Sequence, residues 1–437
     1  MVSAATFRAL VQPTPLSAEA KNPDMPSWLG YARAVICMML GVLASVGPAR
    51  SAGPDGVWSG TWAAAVQGQA EEAIFRDQTL RQSVRASLAG TAVRVRISNL
   101  HGTRPLVIGV AKVALQQANR AGWIRADSVR SVTFAGASSV TIAAGDSILS
   151  DAVPFDVPER GDVVVDLYLP EETGPATVHR FAERATHVIE GNAAGQERPE
   201  AARKSRDLFF LTNLDVSNDS ARGVVVALGA SITNGSMSSV GASKRWTDIL
   251  ADRLSAADLR VGVLNLGISG NRMLADGAGP SAGTRFERDV LDQVGVRWVI
   301  LSDNPINDLG VATYEPSPGG APTAEALTAA IRELVGLAHR RGIKVICSTL
   351  TPYRAASYWS APSEIIRGRV NAYLRGSESG CDGILDQDAA IRDPADSTRF
   401  NRAFDSGDHL HPNDAGHAAI AAAVDLALFS REANGGW

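Results

Sequence analysis

The chain has 437 residues, of which 45% are apolar and 20% charged, and its 42 Lys and Arg against 46 Asp and Glu give a formal charge of −4. That length suits two or three domains with sizeable cores, and the composition excludes a disordered or fibrous chain. No basic field or basic run with interleaved aromatics is present to hold a nucleic acid, and 3 cysteines cannot staple a chain of this size as a disulfide scaffold.

The first segment reads as a leader. Residues 34–46 (AVICMMLGVLASV) form an apolar run behind Arg33, followed by the small-residue stretch GPARSAG. A charged start, a short apolar core and a small-residue exit describe a secretory signal with cleavage after Ala49, Ser51 or Ala52. The run is short for a membrane span. The preceding stretch is long and mixed in charge, and Met25 offers an alternative start. Residues 1–51 are therefore assigned as signal peptide and leader, and the protein is expected to be secreted or periplasmic. The mature chain stays mildly acidic and keeps Cys347 and Cys381; Cys347 lies in an apolar, strand-like run that suits a small buried residue.

Residues 55–215 read as a β-sandwich domain. The text AVRVRISN at 92–99 sets Val93, Val95 and Ile97 on one side and Arg94 and Arg96 on the other, the alternation of a half-buried antiparallel strand. Similar runs follow at 107–115, 129–134, 139–142 and 162–169, broken by Gly, Pro and Asn. Residues 190–206 are polar and read as a connection to the next domain.

Residues 220–432 change period. Runs at 224–228, 261–266, 297–301, 344–348 and 383–385 are mostly apolar on both faces, as in buried parallel strands. Helical patterns lie between and after them at 245–254, 323–341, 362–374 and 412–429. This alternation predicts an α/β fold, a doubly wound parallel five-stranded sheet with helices on both faces. Ligands in such sheets bind beyond the carboxyl ends of the strands.

Those ends carry four segments. The first strand ends at Gly229-Ala230-Ser231-Ile232-Thr233, a turn that can present a hydroxyl near the free N–H groups of a helix start, although Ser is also a good helix cap. It is neither a G-x-S-x-G elbow nor a phosphate loop. The second runs into Gly267-Ile268-Ser269-Gly270-Asn271, where glycine permits close approach of a backbone N–H or simply a turn. The third runs into Asn304-Pro305-Ile306-Asn307-Asp308, whose Asn-Asp pair offers an amide donor or a turn. Near the end comes Asp408-His409-Leu410-His411-Pro412-Asn413, with Pro412 suited to the first position of the following helix. Asp408 can accept from one nitrogen of His411 and leave the other to take a proton from a hydroxyl, whereas the spacing of His409 to Asp408 is poor.

In this order the four segments resemble the blocks of the SGNH (GDSL-type) hydrolases, which share a flavodoxin-like sheet. The upstream text TWAAAV and TLRQSVRASLAGTAVRVRISNLHG resembles the β-sandwich that precedes this domain in a secreted bacterial subgroup. The resemblance implies a serine esterase with Ser231, Asp408 and His411 catalytic, and with the N–H groups of Ser231 and Gly270 and the amide of Asn307 as the oxyanion hole. It implies neither metal nor cofactor. Two departures stand out. The Asp usual before the serine is Ala230, and in the third block the usual Gly is Pro305 while the preceding SDN is about one residue longer; displacement of Asn307 is one consequence to test.

The implied substrate is a small-molecule or polysaccharide ester: a carbohydrate O-acetyl ester, or a short-chain or lipid ester as in lipases and lysophospholipases. Tyr353, Tyr358 and Trp359 fall on a loop that would either wall a pocket or pack. A non-catalytic binding protein with a degenerate site, and a phosphodiesterase, are the rival readings.

Overall fold

The computed structural model describes residues 56–198, 202–314 and 322–430. The leader expected at 1–51, and the apolar run within it, lie outside the described residues. All described residues belong to one compact unit, Arg50–Trp437.

The N-terminal half is built of antiparallel strands. Trp58–Ala63 pairs with Leu211–Ser217, which pairs with Gly90–Ser98, which pairs in turn with Val153–Val157. A second sheet of six runs in the order Arg203–Ser205, Thr186–Glu190, Gln78–Arg85, Asp162–Leu169, Val110–Leu115, Arg130–Val132. Val93, Val95 and Ile97 of the first sheet share a buried cluster with Leu80, Val84, Val163 and Leu167 of the second, while Arg94 and Arg96 are half-buried on the other side. This is the sandwich that the alternation predicted. The run at 107–115 divides into Leu106–Ile108 and Val110–Leu115. The segment at 190–206 is more than a connection, because Arg203–Ser205 pairs back onto Thr186–Val188.

The C-terminal half holds a five-stranded parallel sheet: β1 (Gly223–Gly229), β2 (Val261–Gly267), β3 (Val296–Leu301), β4 (Lys344–Ser348) and β5 (Gly383–Leu385), in the order β2-β1-β3-β4-β5. β1 and β2 are buried along their whole length, which explains their unbroken apolar text. Its helices include α1 (Ser231–Asn234), α2 (Trp246–Ala256), α3 (Asn304–Tyr314), α4 (Ala324–Arg340), α5 (Ala361–Arg375) and α6 (Asp414–Ala422), with short turns at Ala282–Phe286 and, after β5, at Gln387–Ile391. On α4, Leu327, Ile331, Leu334, Val335 and Ala338 form the buried stripe, and the Thr323 hydroxyl accepts from Ala326 N–H at its start.

Two helix expectations need correction. The 412–429 pattern is not one helix: α6 ends at Ala422 and a separate turn, Ala427–Ser430, follows. Pro412 does not begin α6 either; Asn413 caps it, accepting from Gly416 N–H at 3.0 Å, and the first helical residue is Asp414. A disulfide joins Cys347 in β4 to Cys381 just before β5.

The sandwich covers the edge of the parallel sheet at β2. Gly60 N–H donates to Val294 O at 2.9 Å, and Val263 N–H to the Ser87 hydroxyl at 2.9 Å. A Cβ on Gly262 would lie 2.4 Å from Gly60 O, so a side chain there would force the two backbones apart. An exposed edge strand is thereby given partners within the chain.

Candidate active site

β1 ends in a turn, and Ser231 is the first residue of the four-residue α1. Ala230, the cap residue, has a non-helical backbone and no capping side chain, and Gly235, at φ 104°, ends the helix in the left-handed region. Ser231 is therefore not a cap. Its Oγ lies 2.8 Å from Nε2 of His411, and Nδ1 of His411 lies 2.6 Å from Oδ2 of Asp408.

Asp408 is heavily supplied with donors. Its Oδ1 accepts from the N–H groups of His411 at 2.8 Å and Leu410 at 2.9 Å and from the Ser406 hydroxyl at 3.0 Å. Burial works to raise its pKa, but the His411 ring and the two N–H donors outweigh burial and hold the carboxyl well below the usual carboxylate range. His409 takes no part in this chain of contacts: its Nδ1 binds Asp405 Oδ2 at 2.6 Å, and its ring is half exposed.

The segments proposed to bind negative charge sit beside this pair. Ile268 N–H donates to Gly229 O at 3.1 Å, which brings the 267–271 loop against the serine turn. Gly270 has φ 79°, a conformation glycine adopts without strain. Among the described residues, the N–H groups of Ser231 and Gly270 donate to no other protein group. Asn307 lies in the first turns of α3, and its Nδ2 donates to Asn271 O at 2.9 Å, next to Gly270. Pro305 leaves the element intact, because near a helix start a missing N–H costs no hydrogen bond. Asp308 accepts from Met273 and Leu274 N–H at 2.6 and 3.0 Å and so fastens α3 to the end of the same loop; burial raises its pKa to about 6 against those donors.

Several supporting residues gave no signal as a motif. Arg285 is fully buried and donates to Gly229 O, Leu266 O, Asn271 Oδ1 and Asp289 Oδ2, tying the ends of β1 and β2 to the 267–271 loop. Asn271 receives Asn304 Nδ2 on the same oxygen at 2.9 Å and donates to Ala278 O and Pro280 O. Asp303, from the SDN segment, accepts from Ala230 N–H, Ile232 N–H and the Thr233 hydroxyl. The sandwich also reaches the site: His179 bridges Ala65 O and Asn234 Oδ1 at 2.8 and 3.1 Å, and Asn234 Nδ2 donates to the Ser269 hydroxyl at 3.0 Å. Only the SDN insertion was visible as an irregularity in the text.

The aromatic loop packs rather than projecting. Tyr353 is fully buried with its hydroxyl on Ser363 Oγ at 2.5 Å, and Tyr358 and Trp359 pack against the main core. Among the described residues, no group of three His, Cys, Asp or Glu side chains is arranged to hold a metal ion, and no helix is long and apolar enough to cross a membrane.

Residues 227–419 match the model of the GDSL-like lipase/acylhydrolase family. No curated protein sequence matches the chain. Among solved structures, the chain is similar to a GDSL-like lipase from Bacteroides thetaiotaomicron (20% identity, 48% of this chain and 89% of that one, TM-score 0.35). It is also similar to the acetylxylan esterase Axe2 from Geobacillus stearothermophilus (23%, 48% and 96%, 0.36) and to LAE5, an alpha/beta hydrolase from the metagenome of Lake Arreo (21%, 48% and 96%, 0.37). The matched segment begins within β1, ends within α6 and contains the strand ends described above, so the likeness to the GDSL-like lipase/acylhydrolase family lies in the α/β half of this chain.

Proposed function

We propose that the protein is a serine esterase that hydrolyses carboxylic esters through an acyl-enzyme on Ser231. The observation that carries this reading is the run of contacts from Ser231 Oγ through the His411 ring to Asp408. The Ser231 oxygen attacks the ester carbonyl carbon as its proton passes to His411 Nε2. Asp408 holds the Nδ1–H tautomer and balances the imidazolium that forms. The negative charge on the former carbonyl oxygen is received by the N–H groups of Ser231 and Gly270 and by the Asn307 amide, each such donor being worth ~3 kcal/mol. The carbon–oxygen bond to the alcohol then breaks, and His411 delivers its proton to the departing alkoxide. Water, deprotonated by His411, attacks the acyl carbon and releases the acid and the free serine.

The substrate classes are carbohydrate O-acetyl esters and short-chain or lipid esters, which a panel of acetyl, butyryl and long-chain esters beside acetylated xylan separates. The reading includes export. The apolar run at 34–46 supports it, as does the Cys347–Cys381 disulfide, a bond that persists in oxidising compartments. The direct test is Ser231→Ala on p-nitrophenyl acetate. A loss of at least about a thousandfold in kcat is expected, and activity close to wild type would remove Ser231 from the role.

A further inference from the structure

The two departures from the family pattern meet in space. Position 230, where the pattern has Asp, is Ala, and the third block is longer by about one residue within Ser302-Asp303-Asn304. Asp303 is only 3% exposed. Its Oδ1 accepts from Ala230 N–H at 3.0 Å and from the Thr233 hydroxyl at 2.6 Å, and its Oδ2 accepts from Ile232 N–H at 2.8 Å. A Cβ on Gly229 would come within 2.5 Å of Asp303 Oδ1, so the carboxyl group lies directly on the backbone that enters the turn.

We infer that Asp303 is a positioning residue for Ser231, supplying from the end of β3 the carboxyl group that the sequence lacks at 230. The inference rests on Ser231 being the nucleophile. The N–H groups on both sides of Ser231 are consumed by one carboxyl group, while the N–H of Ser231 itself is left free for a substrate oxygen. α1 is a single turn, closed by Asn234 N–H on Ala230 O and by Gly235 and Ser236 N–H on Ser231 O, and those bonds leave the N–H groups of Ala230 and Ile232 to be held by Asp303.

Asp303 is in turn pinned on both flanks. Ser302 N–H donates to Leu228 O at 2.9 Å and its hydroxyl accepts from Gln387 Nε2 at 2.9 Å. Asn304 Nδ2 donates to Asn271 Oδ1 at 2.9 Å. The three residues thus link β5's following helical turn, the serine turn and the Gly270 loop, so that the two backbone N–H donors for the oxyanion keep a fixed relation.

The test is steady-state kinetics on p-nitrophenyl acetate with Asp303→Asn and Thr233→Val, each checked by circular dichroism and assayed well below its melting temperature. In Asp303→Asn, an NH2 faces Ile232 N–H, donor against donor, and the turn shifts. The expected result is a fall in kcat of about a hundredfold with KM within about threefold, and a fall of about three- to tenfold for Thr233→Val. A helix cap with only a structural role would lower the melting temperature and leave kcat of the folded enzyme unchanged. Folded Asp303→Asn with wild-type kcat overturns the inference. If Asp303→Asn does not fold, Thr233→Val decides alone, and an unchanged kcat overturns it. Failure of the nucleophile reading looks different, since Ser231→Ala then keeps its activity, whereas failure of this inference leaves Ser231→Ala inactive beside a fully active Asp303→Asn.

Discussion

The Nε2 of His411 lies 2.8 Å from the Oγ of Ser231, across 180 positions of sequence. The contact exists because β1 delivers the serine to one rim of the sheet and the loop before α6 returns the imidazole to the same rim. Asp408, three residues before His411, then meets the other ring nitrogen at 2.6 Å. Replacing Asp408 by Asn keeps the shape but removes the acceptor that selects the tautomer. Steady-state assays of Asp408→Asn are expected to show kcat reduced by about 10⁴-fold with the fold unchanged by circular dichroism.

The donors around Asp408 also set a pH expectation. Because they hold its carboxyl below the usual range, Asp408 stays ionised throughout the assayable range. The acid limb of kcat/KM should therefore carry no ionisation of Asp408. An acid ionisation near pH 4 that is abolished in Asp408→Asn would contradict this.

Asn307 is the side-chain member of the proposed oxyanion set and is half-buried. Its Nδ2 spends one hydrogen on Asn271 O, and an amide nitrogen carries a second. Asn307→Ala should lower kcat by about 10²–10³-fold and change KM little, since the lost bond forms in the transition state. Parallel losses in kcat and affinity, measured by inhibition with a non-hydrolysable ester analogue, would assign Asn307 to ground-state binding instead.

Arg285 is a stability prediction. It is fully buried and donates to two strand-end carbonyls, the Asn271 amide and Asp289. Arg285→Met leaves those acceptors and the Asp289 charge without this partner, at a cost of about 3–5 kcal/mol. Urea unfolding should show that loss as a lowered midpoint with the slope unchanged.

His417 gives the protein an acid-sensitive joint. It is buried in α6 with Nε2–H on Ser236 O at 3.1 Å, and burial pushes its pKa down to about 4 from 6.5. The folded state thus binds a proton less readily than the unfolded one, and stability falls as pH drops from about 6.5 toward 4, by roughly 2–3 kcal/mol at pH 4.5. Thermal unfolding at pH 7 and pH 4.5 should show a smaller pH-dependent loss in His417→Gln than in the wild type.

Much of this architecture was legible because burial leaves periodic marks. Asp162–Leu169, Lys344–Ser348 and Gly383–Leu385 follow the apolar text residue for residue, and Ser231, His411 and Asp408 were visible because local motifs carry them. What the text hid is long-range. Arg285 stands in no motif, and three of its four acceptors, Gly229 O, Leu266 O and Asn271 Oδ1, arrive from other elements, while Asp303 showed only as an extra residue. The break in the 412–429 pattern was missed because its small apolar residues suit one helix or two, and the ladder ends where α6 stops at Ala422. Pro305 looked disruptive only because the text does not mark where α3 begins.

The most direct test of the central claim is covalent labelling of the intact protein with a fluorophosphonate, followed by peptide mass spectrometry. Phosphonylation needs a hydroxyl activated by a neighbouring base. The account predicts one adduct, on the peptide containing Ser231, formed in step with loss of esterase activity and slowed severely by His411→Ala. Full inhibition with the adduct on another residue, or an active enzyme that leaves Ser231 unmodified, would contradict it.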